Sequence, residues 1–516
     1  MAEAGSADQI NRRSKLNQIV TSPTLDALFQ RILARKPEAL ALIDPPNKQR
    51  ITGQPPRRLT YAEADRAISA LAAHFIEAGL PTHSVIAVQL PNTVEFMLTV
   101  LAAHRAGLVV ALFPLLWRHA ELVAALNRTS ARAIVSMGKV DGVVLADYAM
   151  NAAAEVFSIR HVCGFGGDLP EGMASLDQAM TKEPSTQRAI IQDGRKAAII
   201  SFDVTSDGFR AVPRTHLSAI AGGLSLSLES DVPQGASVIS AFAPSSFAGL
   251  ASSLVVWLLS GGSLALHHPF DADVLEQQVH EQVCDTLIAP AQLALRLDEI
   301  GLSSHFPNLR NVVGLWRAPE QVASSPPWSA PDVSLTDVYL FGEAGLFGVR
   351  RTSNDGSAAA VHPGLHGAPR QMPGSSIAGE ILLTPKGTLG LRGPMVAVSA
   401  YAPPMPPEDS LMSQETRDYV DTEYAARLDR STGAIRITAP PVGIMTVGGY
   451  RFLAHDLQEW SRRLGQGALL TALPDRLSGH RLAGRAQDNA RAREALIELG
   501  LNPLMVEAFR DRAASA

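Results

Sequence analysis

Short apolar segments alternate with helical ones over the first 140 residues, and this alternation sets the fold class. Residues 84–89 and 109–113 are predicted strands, because each is a brief run rich in apolar and β-branched residues. The intervening segments have the apolar spacing of helices, and one helix begins at a capping box, Thr60-x-x-Glu63, and ends before Gly79. Strands joined by helices imply a mainly parallel sheet that is covered on both faces.

A second alternating unit follows after residue 239, and it contains a segment without charges. Residues 237–268 carry no Asp, Glu, Lys or Arg, whereas a membrane span needs roughly 20 mainly apolar residues. Gly261-Gly262 interrupts the apolar run, so we interpret residues 248–259 as a buried helix and residues 263–266 as a buried strand. The sequence therefore predicts no membrane span.

Composition excludes several classes of protein. The chain has 516 residues, 46% hydrophobic and 18% charged, which is typical of a soluble globular protein with more than one domain. A net charge of −5 without a long basic run makes nucleic acid an unexpected partner. Residues 1–17 lack the apolar core of a signal peptide. Cys163 and Cys284 form no disulfide or metal-binding spacing, which fits the cytoplasm.

Residues 201–216 are a polar stretch between a predicted strand, residues 197–200, and a predicted helix, residues 217–228. A loop in that place can bind a phosphate through backbone N–H groups, hydroxyls and the helix N-terminus. The candidate residues for this role are Thr205, Ser206 and Arg210. Asp207 works against it, because a carboxylate repels a phosphate.

This stretch resembles the phosphate loop of the adenylate-forming enzymes: acyl-CoA synthetases, peptide-synthetase adenylation domains and luciferases. Their pattern is T-S-G-T-T-G-x-P-K-G-V-x-x-T-H. The chain keeps Thr205, Ser206, Val212, Thr215 and His216, but every glycine of the pattern is replaced, Phe209 stands for the proline and Arg210 for the lysine. Further short sequence motifs of this family, here called family words, follow in the family's order from about residue 25 to about residue 510. They lie at residues 59–63, 106–114, 244–249, 285–290, 364–369, 379–383 and 390–394.

The resemblance implies an α/β fold with three parts. Residues 1–23 are expected to be a flexible leader. Residues 24–438 are expected to form a large N-terminal domain of two doubly covered, mainly parallel sheets plus a small β-rich subdomain. Residues 439–516 are expected to form a small, shortened α+β C-terminal domain, in which residues 503–509 resemble a strand.

The resemblance also assigns the candidate site residues. Tyr339 and Glu343 match the aromatic residue beside adenine and the magnesium ligand of Y-G-x-T-E, and carboxylate oxygen suits Mg²⁺. Trp316 and Arg317 replace glycines that border adenine, so they either fill that pocket or stack on a different ligand. The catalytic candidates are Glu343, Arg210 and His216, the ribose-binding candidates are Glu423 and Tyr424, and the acid-pocket candidates are Phe247, Leu315 and Phe341.

Several family residues are changed in the C-terminal part. The hinge residues Arg, Lys and Asp become Pro440, Val442 and Gly443, and the Asp that holds ribose becomes Tyr424, so that Glu423 or Asp421 would have to replace it. No lysine follows Lys386, whereas the family ends with a lysine that reaches the α-phosphate. The arginine candidates for that role are Arg510 and Arg512.

Three functions stay open at this point. The first is a ligase that activates a small carboxylic acid with ATP and Mg²⁺ and passes it to a thiol such as CoA. The second is a catalytically inactive relative that binds a ligand or regulates a partner or carrier protein. The third is an enzyme acting on an acyl thioester, with His216 or Glu343 as acid or base.

Overall fold

The computed structural model describes residues 22–183, 193–301, 305–366, 379–397, 419–475 and 477–510. Within these residues the chain forms a seven-stranded sheet, an eight-stranded sheet, a five-stranded sheet and two hairpins. This arrangement confirms the predicted α/β class, with two large sheets, a β-rich subdomain and an α+β part at the end. The domain boundaries at residues 24 and 439 stay predictions.

The seven-stranded sheet is the first large sheet, in the order β7-β6-β5-β3-β4-β8-β9. It is parallel except for the antiparallel pair β8 and β9. Its strands are β3 (Val85–Gln89), β4 (Val109–Leu112), β5 (Ala133–Met137), β6 (His161–Phe165), β7 (Ala174–Ser175), β8 (Ala197–Thr205) and β9 (Gly208–Thr215).

The eight-stranded sheet has the order β15-β14-β13-β12-β10-β11-β1-β2, with antiparallel strands only at its two edges. The carboxyl ends of its parallel strands lie at one edge, where open α/β sheets bind ligands. Its strands are β1 (Leu40–Ile43), β2 (Arg58–Thr60), β10 (Ser237–Ser240), β11 (Ser263–Leu266), β12 (Thr286–Pro290), β13 (Asn311–Trp316), β14 (Ser334–Leu340) and β15 (Leu346–Arg350).

Helices cover both faces of these sheets. One core cluster joins strands of both sheets to α3, α4 and α8, and another packs α5 and α6 on the opposite face of the seven-stranded sheet. The helices of the large domain are α1 (Leu25–Leu33), α2 (Lys48–Thr52), α3 (Tyr61–Glu77), α4 (Val94–Arg105), α5 (His119–Thr129), α6 (Leu145–Glu155), α7 (Leu176–Met180), α8 (His216–Glu229), α9 (Phe247–Leu250), α10 (Val256–Ser260), α11 (Ala272–Gln282) and α12 (Ala291–Glu299).

The charge-free segment is the buried helix and strand that the sequence predicted. Helix α9 continues through a π-helical turn, Ala251–Val255, into α10, and Gly261 ends it in the left-handed conformation (φ 64°). The Tyr61 hydroxyl and the Trp257 indole N–H both donate to the Gly262 carbonyl, at 2.7 and 3.1 Å. No helix in the described ranges is both long and apolar enough to cross a bilayer.

Helix α8 packs closely on this helix through two glycines. A Cβ added at Gly222 would lie 2.6 Å from Phe247, and one added at Gly223 would lie 2.4 Å from Val255. Such close approach needs the absence of a side chain. The two helices are therefore in close contact at the middle of α8.

We expect Gly223→Ala to lower the free energy of unfolding by up to about 2 kcal/mol, because the added methyl group overpacks Val255 at a cost of about 1–3 kcal/mol. The gain of about 1 kcal/mol in helix propensity offsets part of this cost. The matched control is Gly167→Ala, where an added Cβ meets nothing within 4 Å. Urea denaturation of both variants measures the effect, and equal midpoints would contradict the packing argument.

The remaining strands form the β-rich subdomain and the small domain. The five-stranded sheet consists of β16 (Gly364–His366), β17 (Gly379–Leu383), β18 (Thr388–Arg392), β19 (Val420–Leu428) and β20 (Ile435–Ala439). The small domain has the hairpins β21 (Ile444–Val447) with β22 (Tyr450–Leu453) and β23 (Leu469–Asp475) with β24 (Gly479–Arg485), and the helices α13 (Ala454–Arg463), α14 (Asn489–Glu498) and α15 (Pro503–Glu507).

The strand predicted at residues 503–509 is wrong, because helix α15 begins there. The Asn502 side chain accepts a hydrogen bond from the Leu504 N–H at 3.0 Å, and Pro503 occupies the first helical position. Both features favour a helix start. Of the two arginines considered near the C-terminus, Arg510 is exposed and paired with Glu507 at 3.4 Å, while Arg512 lies outside the described residues.

A buried ion cluster lies at the N-terminal end of α4. The Lys48 ammonium contacts Asp44 at 2.6 Å and Glu95 at 2.5 Å, and all three side chains are at most 1% exposed. Asp44 also accepts from the Val94 N–H at 2.8 Å and so caps the helix. Burial and the neighbouring Glu95 raise the pKa of Asp44 to about 6. Burial opposes ionisation of Glu95 as well, but Lys48 and Arg57 outweigh it and lower that pKa.

Candidate active site

Residues 201–216 form a tight β-hairpin, which corrects the predicted strand–loop–helix. Strand β8 runs to Thr205 and β9 starts at Gly208, so that only Ser206 and Asp207 make the turn. Gly208 has a φ of 99°, which only glycine adopts readily. The backbone is therefore paired along the whole stretch, and no open glycine-rich loop is present to surround a phosphate.

Aromatic packing explains why this stretch is a hairpin. The rings of Phe202 and Phe209 stack at 5.4 Å across the two strands, and both lie against Trp117, at 5.1 and 5.8 Å. Aromatic cross-strand pairs stabilise antiparallel strands. Phe202 and Phe209 occupy the positions of the threonine and the proline in the family pattern, so the same substitutions that remove loop residues supply the packing.

Glu343 lies just beyond the carboxyl end of β14 and is 7% exposed. Its Oε2 accepts from the Phe247 N–H at 3.0 Å, and its own N–H donates to the Asp203 carboxylate at 2.8 Å. Burial raises the pKa of Glu343 to about 7, although the nearby Arg214 opposes this shift. One buried carboxylate thus connects the hairpin to the start of α9.

Arg214 is a buried residue next to the candidate site that the sequence analysis did not single out. It lies at the end of β9 and is 2% exposed, with its guanidinium 3.6 Å from the centre of the Phe247 ring. It donates hydrogen bonds to the carbonyls of Met395 and Glu343. The sequence does contain evidence for it. Side chains alternate between the two faces of a strand, and this charged residue falls on the face of β9 that points inward.

The small domain contributes a second missed residue, Arg451 on β22. Its guanidinium lies 3.2 and 3.3 Å from the two carboxylate oxygens of Asp203, and it donates to the Tyr424 hydroxyl at 3.0 Å. Burial opposes the charge of Arg451, but Asp203 and Tyr424 outweigh this and raise its pKa. The neighbouring Tyr450 packs against the core cluster of the seven-stranded sheet that contains Trp117.

Asp203, Glu343 and Arg451 line one cavity between the hairpin, the end of β14, β19 and the small domain. Its free volume is about 60 Å³, which accommodates a few water molecules at roughly 10–15 Å³ each. Among the candidates from sequence, Thr205, Arg210, Phe341, Glu343 and Glu423 line it. Four carboxyl groups, Asp203, Glu343, Asp421 and Glu423, face two guanidinium groups, Arg210 and Arg451.

The arrangement does not fit ATP or Mg²⁺ as the resemblance implies them. The cavity is too small for a nucleotide, and the carboxylates outnumber the arginines, which disfavours a triphosphate. Asp203 is already bound to Arg451 and to the Glu343 N–H. No cluster of three or more metal-ligating side chains occurs in the ranges that the structure describes.

Of the two ribose-binding candidates, Glu423 lines this cavity and Tyr424 is buried behind it, and both are already bound to other protein groups. Glu423 is exposed, and its carboxylate accepts from the Ser206 hydroxyl at 2.8 Å, which ties the hairpin turn to β19. Tyr424 is fully buried, with its ring against Phe341 at 5.3 Å and its hydroxyl bound to Arg451. Neither side chain leaves two free oxygens for a diol.

Trp316 and Arg317 fill space at the carboxyl edge of the eight-stranded sheet, which supports the first of their two alternatives. The Trp316 indole is 2% exposed and donates to Asp337 at 2.7 Å. The Arg317 guanidinium lies 4.1 Å from the Phe242 ring centre, and a Cβ added at Gly449 would meet it at 2.8 Å. Arg317 is therefore held between Phe242 and the small domain.

Four other candidates lie in the core and not on the cavity. Tyr339 stacks on Phe347 at 4.7 Å, Leu315 is fully buried in β13, and Phe247 lies beneath Arg214. His216 also lies away from the cavity: its ring contacts His104 at 4.7 Å and its Nδ1 accepts from the Leu25 N–H at 3.4 Å. Burial and His104 lower the pKa of His216 to about 2. The acid–base role predicted for His216 is not supported by this position.

Two parallel sheets, a β-rich subdomain and a small α+β domain seated over a shared cavity define the two-domain fold of adenylate-forming enzymes. The chain belongs to the AMP-binding enzyme family, whose model matches residues 29–323. The resemblance drawn from the sequence is thereby confirmed at the level of family and fold.

Similar proteins share parts of the sequence and nearly the whole fold. The medium-chain fatty-acid–CoA ligase of Escherichia coli (strain K12) is 29% identical over 165 residues, 31% of this chain and 29% of that protein. Pseudomonine synthase PmsE of Pseudomonas entomophila (strain L48) is 28% identical over 214 residues, 40% of this chain and 32% of that protein. The matches thus span about a third of these relatives.

Solved structures align over more of the chain but show the fold alone. The amide bond synthetase McbA of Marinactinospora thermotolerans superposes with a TM-score of 0.68 at 15% identity, covering 93% of this chain and 94% of that one. MatB of Rhodopseudomonas palustris, solved with ATP bound, superposes with a TM-score of 0.60 at 17% identity and covers 92% of both chains.

Proposed function

We propose that this protein is a carboxylic acid ligase that uses ATP to form an acyl adenylate and then transfers the acyl group to a thiol such as CoA or a carrier protein. The observation that carries this proposal is the convergence of Thr205, Arg210 and Glu343 on one cavity at the end of β14. These residues come from two separate family words and lie near the carboxyl edge of a sheet, which is where open α/β sheets bind ligands.

The chain's own residues would supply binding and charge at this site. Arg210 and Arg451 are the cations nearest to an incoming anion, and Thr205 adds a hydroxyl. Glu343 holds the position of the family's magnesium ligand, but in this arrangement it is buried and its Oε2 accepts from the Phe247 N–H. Because the cavity does not fit ATP in this arrangement, the small domain has to move away from the hairpin before the nucleotide enters.

A catalytically inactive relative is the second candidate, and a specific observation favours it. Among the described lining residues, Arg451 is already paired with Asp203, and Arg210 lies opposite Asp203 in the hairpin register. Both guanidinium groups of the small cavity therefore have a carboxylate beside them. Such a protein would bind an acyl ligand or a partner without adenylation. The third alternative, an enzyme acting on acyl thioesters, has lost its proposed His216 base.

Acid-dependent release of pyrophosphate from Mg-ATP distinguishes the two candidates. The assay is run with a panel of aliphatic, aromatic and dicarboxylic acids, and acyl transfer to CoA is followed by mass spectrometry. For the ligase we expect release with at least one acid and a loss of at least about 100-fold in Glu343→Gln. Glu299→Gln, in an exposed ion pair of α12, is the control that keeps full activity.

A folded protein that releases no pyrophosphate with any acid would support the inactive relative instead.

We expect the site of action to be the cytoplasm, because the two cysteines, Cys163 and Cys284, are buried as free thiols.

A further inference from the structure

The ion pair between Asp203 and Arg451 joins the two domains inside the candidate site. Asp203 is on strand β8 of the large domain and is 8% exposed, and Arg451 is on β22 of the small domain. Because both charges are withdrawn from water, each depends on the other for stabilisation. The contact is therefore strong only while the small domain remains seated.

Gly342 provides the space that this ion pair occupies. A Cβ at Gly342 would lie 2.2 Å from the Asp203 carboxylate and 2.3 Å from the Arg451 guanidinium, and its φ is 56°. In the family word this position is a threonine near the phosphates, and position 203 is a serine in the family pattern. Two neighbouring positions thus lack the family's neutral hydroxyl groups. Position 203 has a carboxylate instead, and position 342 has a glycine that leaves space for Arg451.

A carboxylate that binds an arginine is negatively charged, as is the phosphate that the arginine would otherwise bind. We propose that Asp203 is an internal anion that occupies Arg451 in place of a ligand phosphate and so holds the small domain over the cavity. A phosphate-bearing ligand would compete with Asp203 for Arg451 and release the contact. The identity of that ligand as an adenosine phosphate rests on the proposed function.

Three further contacts act in the same direction. Tyr424 accepts a hydrogen bond from Arg451, Tyr450 packs against the core cluster that contains Trp117, and Arg317 lies against Gly449. They position β22 so that the Arg451 side chain reaches Asp203. Removal of the Asp203 charge alone should therefore free Arg451 for an external anion, while these contacts keep β22 near the cavity, though held less firmly.

Equilibrium titration of the Asp203→Asn variant with AMP tests the proposal. Asparagine keeps an oxygen for the Glu343 N–H and removes the charge. We expect this variant to bind AMP at least about tenfold more tightly than the wild type, and the gain to be lost in Asp203→Asn/Arg451→Gln. Glu299→Gln is the matched control for loss of a carboxylate elsewhere. Unchanged AMP affinity in folded Asp203→Asn overturns the proposal.

Inorganic pyrophosphate in a second titration distinguishes the sources of phosphate. A gain for AMP alone assigns the site to a nucleotide, and a gain for both ligands assigns it to phosphate in general; both support the proposal. A second measurement does not need a ligand: amide hydrogen exchange in β22 should be at least about tenfold faster in Arg451→Gln than in wild type. Equal exchange rates contradict the proposal that Arg451 holds the small domain over the cavity, even where Asp203→Asn fails to fold.

The two proposals fail in different ways. A protein that releases no pyrophosphate with any acid, but whose Asp203→Asn variant gains AMP affinity, retains the internal anion and loses the ligase function. If the protein releases pyrophosphate but its Asp203→Asn variant does not bind AMP more tightly, the ligase function is retained and the internal anion is rejected.

Discussion

Replacement of Arg214 by methionine is expected to lower the free energy of unfolding by about 3–5 kcal/mol, one of the two largest effects that we predict for a single substitution. Arg214 is 2% exposed and donates to the carbonyls of Met395 and Glu343, which would be left buried without these donors. The Glu343 carboxylate would also lose the cation that stabilises its charge.

Urea denaturation of Arg214→Met measures this loss, with Arg296→Met as the control. Arg296 forms an exposed ion pair with Glu299 at 2.8 Å and is 55% exposed, so its replacement should change stability by less than about 1 kcal/mol. If the two variants were equally stable, Arg214 would not hold the hairpin to β14 as described.

Replacement of Lys48 by methionine is the second large effect, again about 3–5 kcal/mol near neutral pH. Lys48 is fully buried between Asp44 and Glu95, so its loss leaves two carboxylates without their shared cation. The control is Lys386→Met, because Lys386 is 83% exposed and only 3.9 Å from Asp421, a distance at which little energy is gained.

The stability defect of Lys48→Met should depend on pH. In the wild type the pKa of Asp44 is raised from 3.8 to about 6, so its contribution to stability is fully present below about 3.8 and is lost as pH rises through about 6. Removing Lys48 raises the carboxyl pKa values further, because the cation favoured their charged forms. The defect is therefore expected to be smaller at pH 5 than at pH 8, and Glu95→Gln in the variant should recover part of it. A defect independent of pH would show that lost packing, and not charge, dominates.

Much of the fold could be predicted from local sequence, but the hairpin at residues 201–216 was not predicted. The alternation of strands and helices, the Thr60 capping box and the order of family words each predicted features that the structure contains. The polar residues 201–216 were interpreted as a loop because of their hydroxyls and charges. The Asp207-Gly208 pair is a hairpin signal of its own, and the aromatic residues on either side were the evidence that favoured strands.

The candidate site was predictable only where residues sit within family words. Thr205, Arg210, Phe341 and Glu343 were found in this way, and all four line the cavity. Arg451 was not found, because its partner Asp203 is 248 residues away in the chain and only the seated small domain brings them together. An ion pair of this kind depends on tertiary packing that no local spacing encodes.

The aromatic cluster at the hairpin gives the protein an optical reporter of domain position. Trp117 is 7% exposed and lies against Phe202 and Phe209, and Tyr450 of the small domain packs on the core cluster that contains Trp117. Trp257 and Trp316 are buried inside the large domain. Separation of the domains would therefore admit water to Trp117 and shift its fluorescence to longer wavelength, so that opening can be followed in the unlabelled chain.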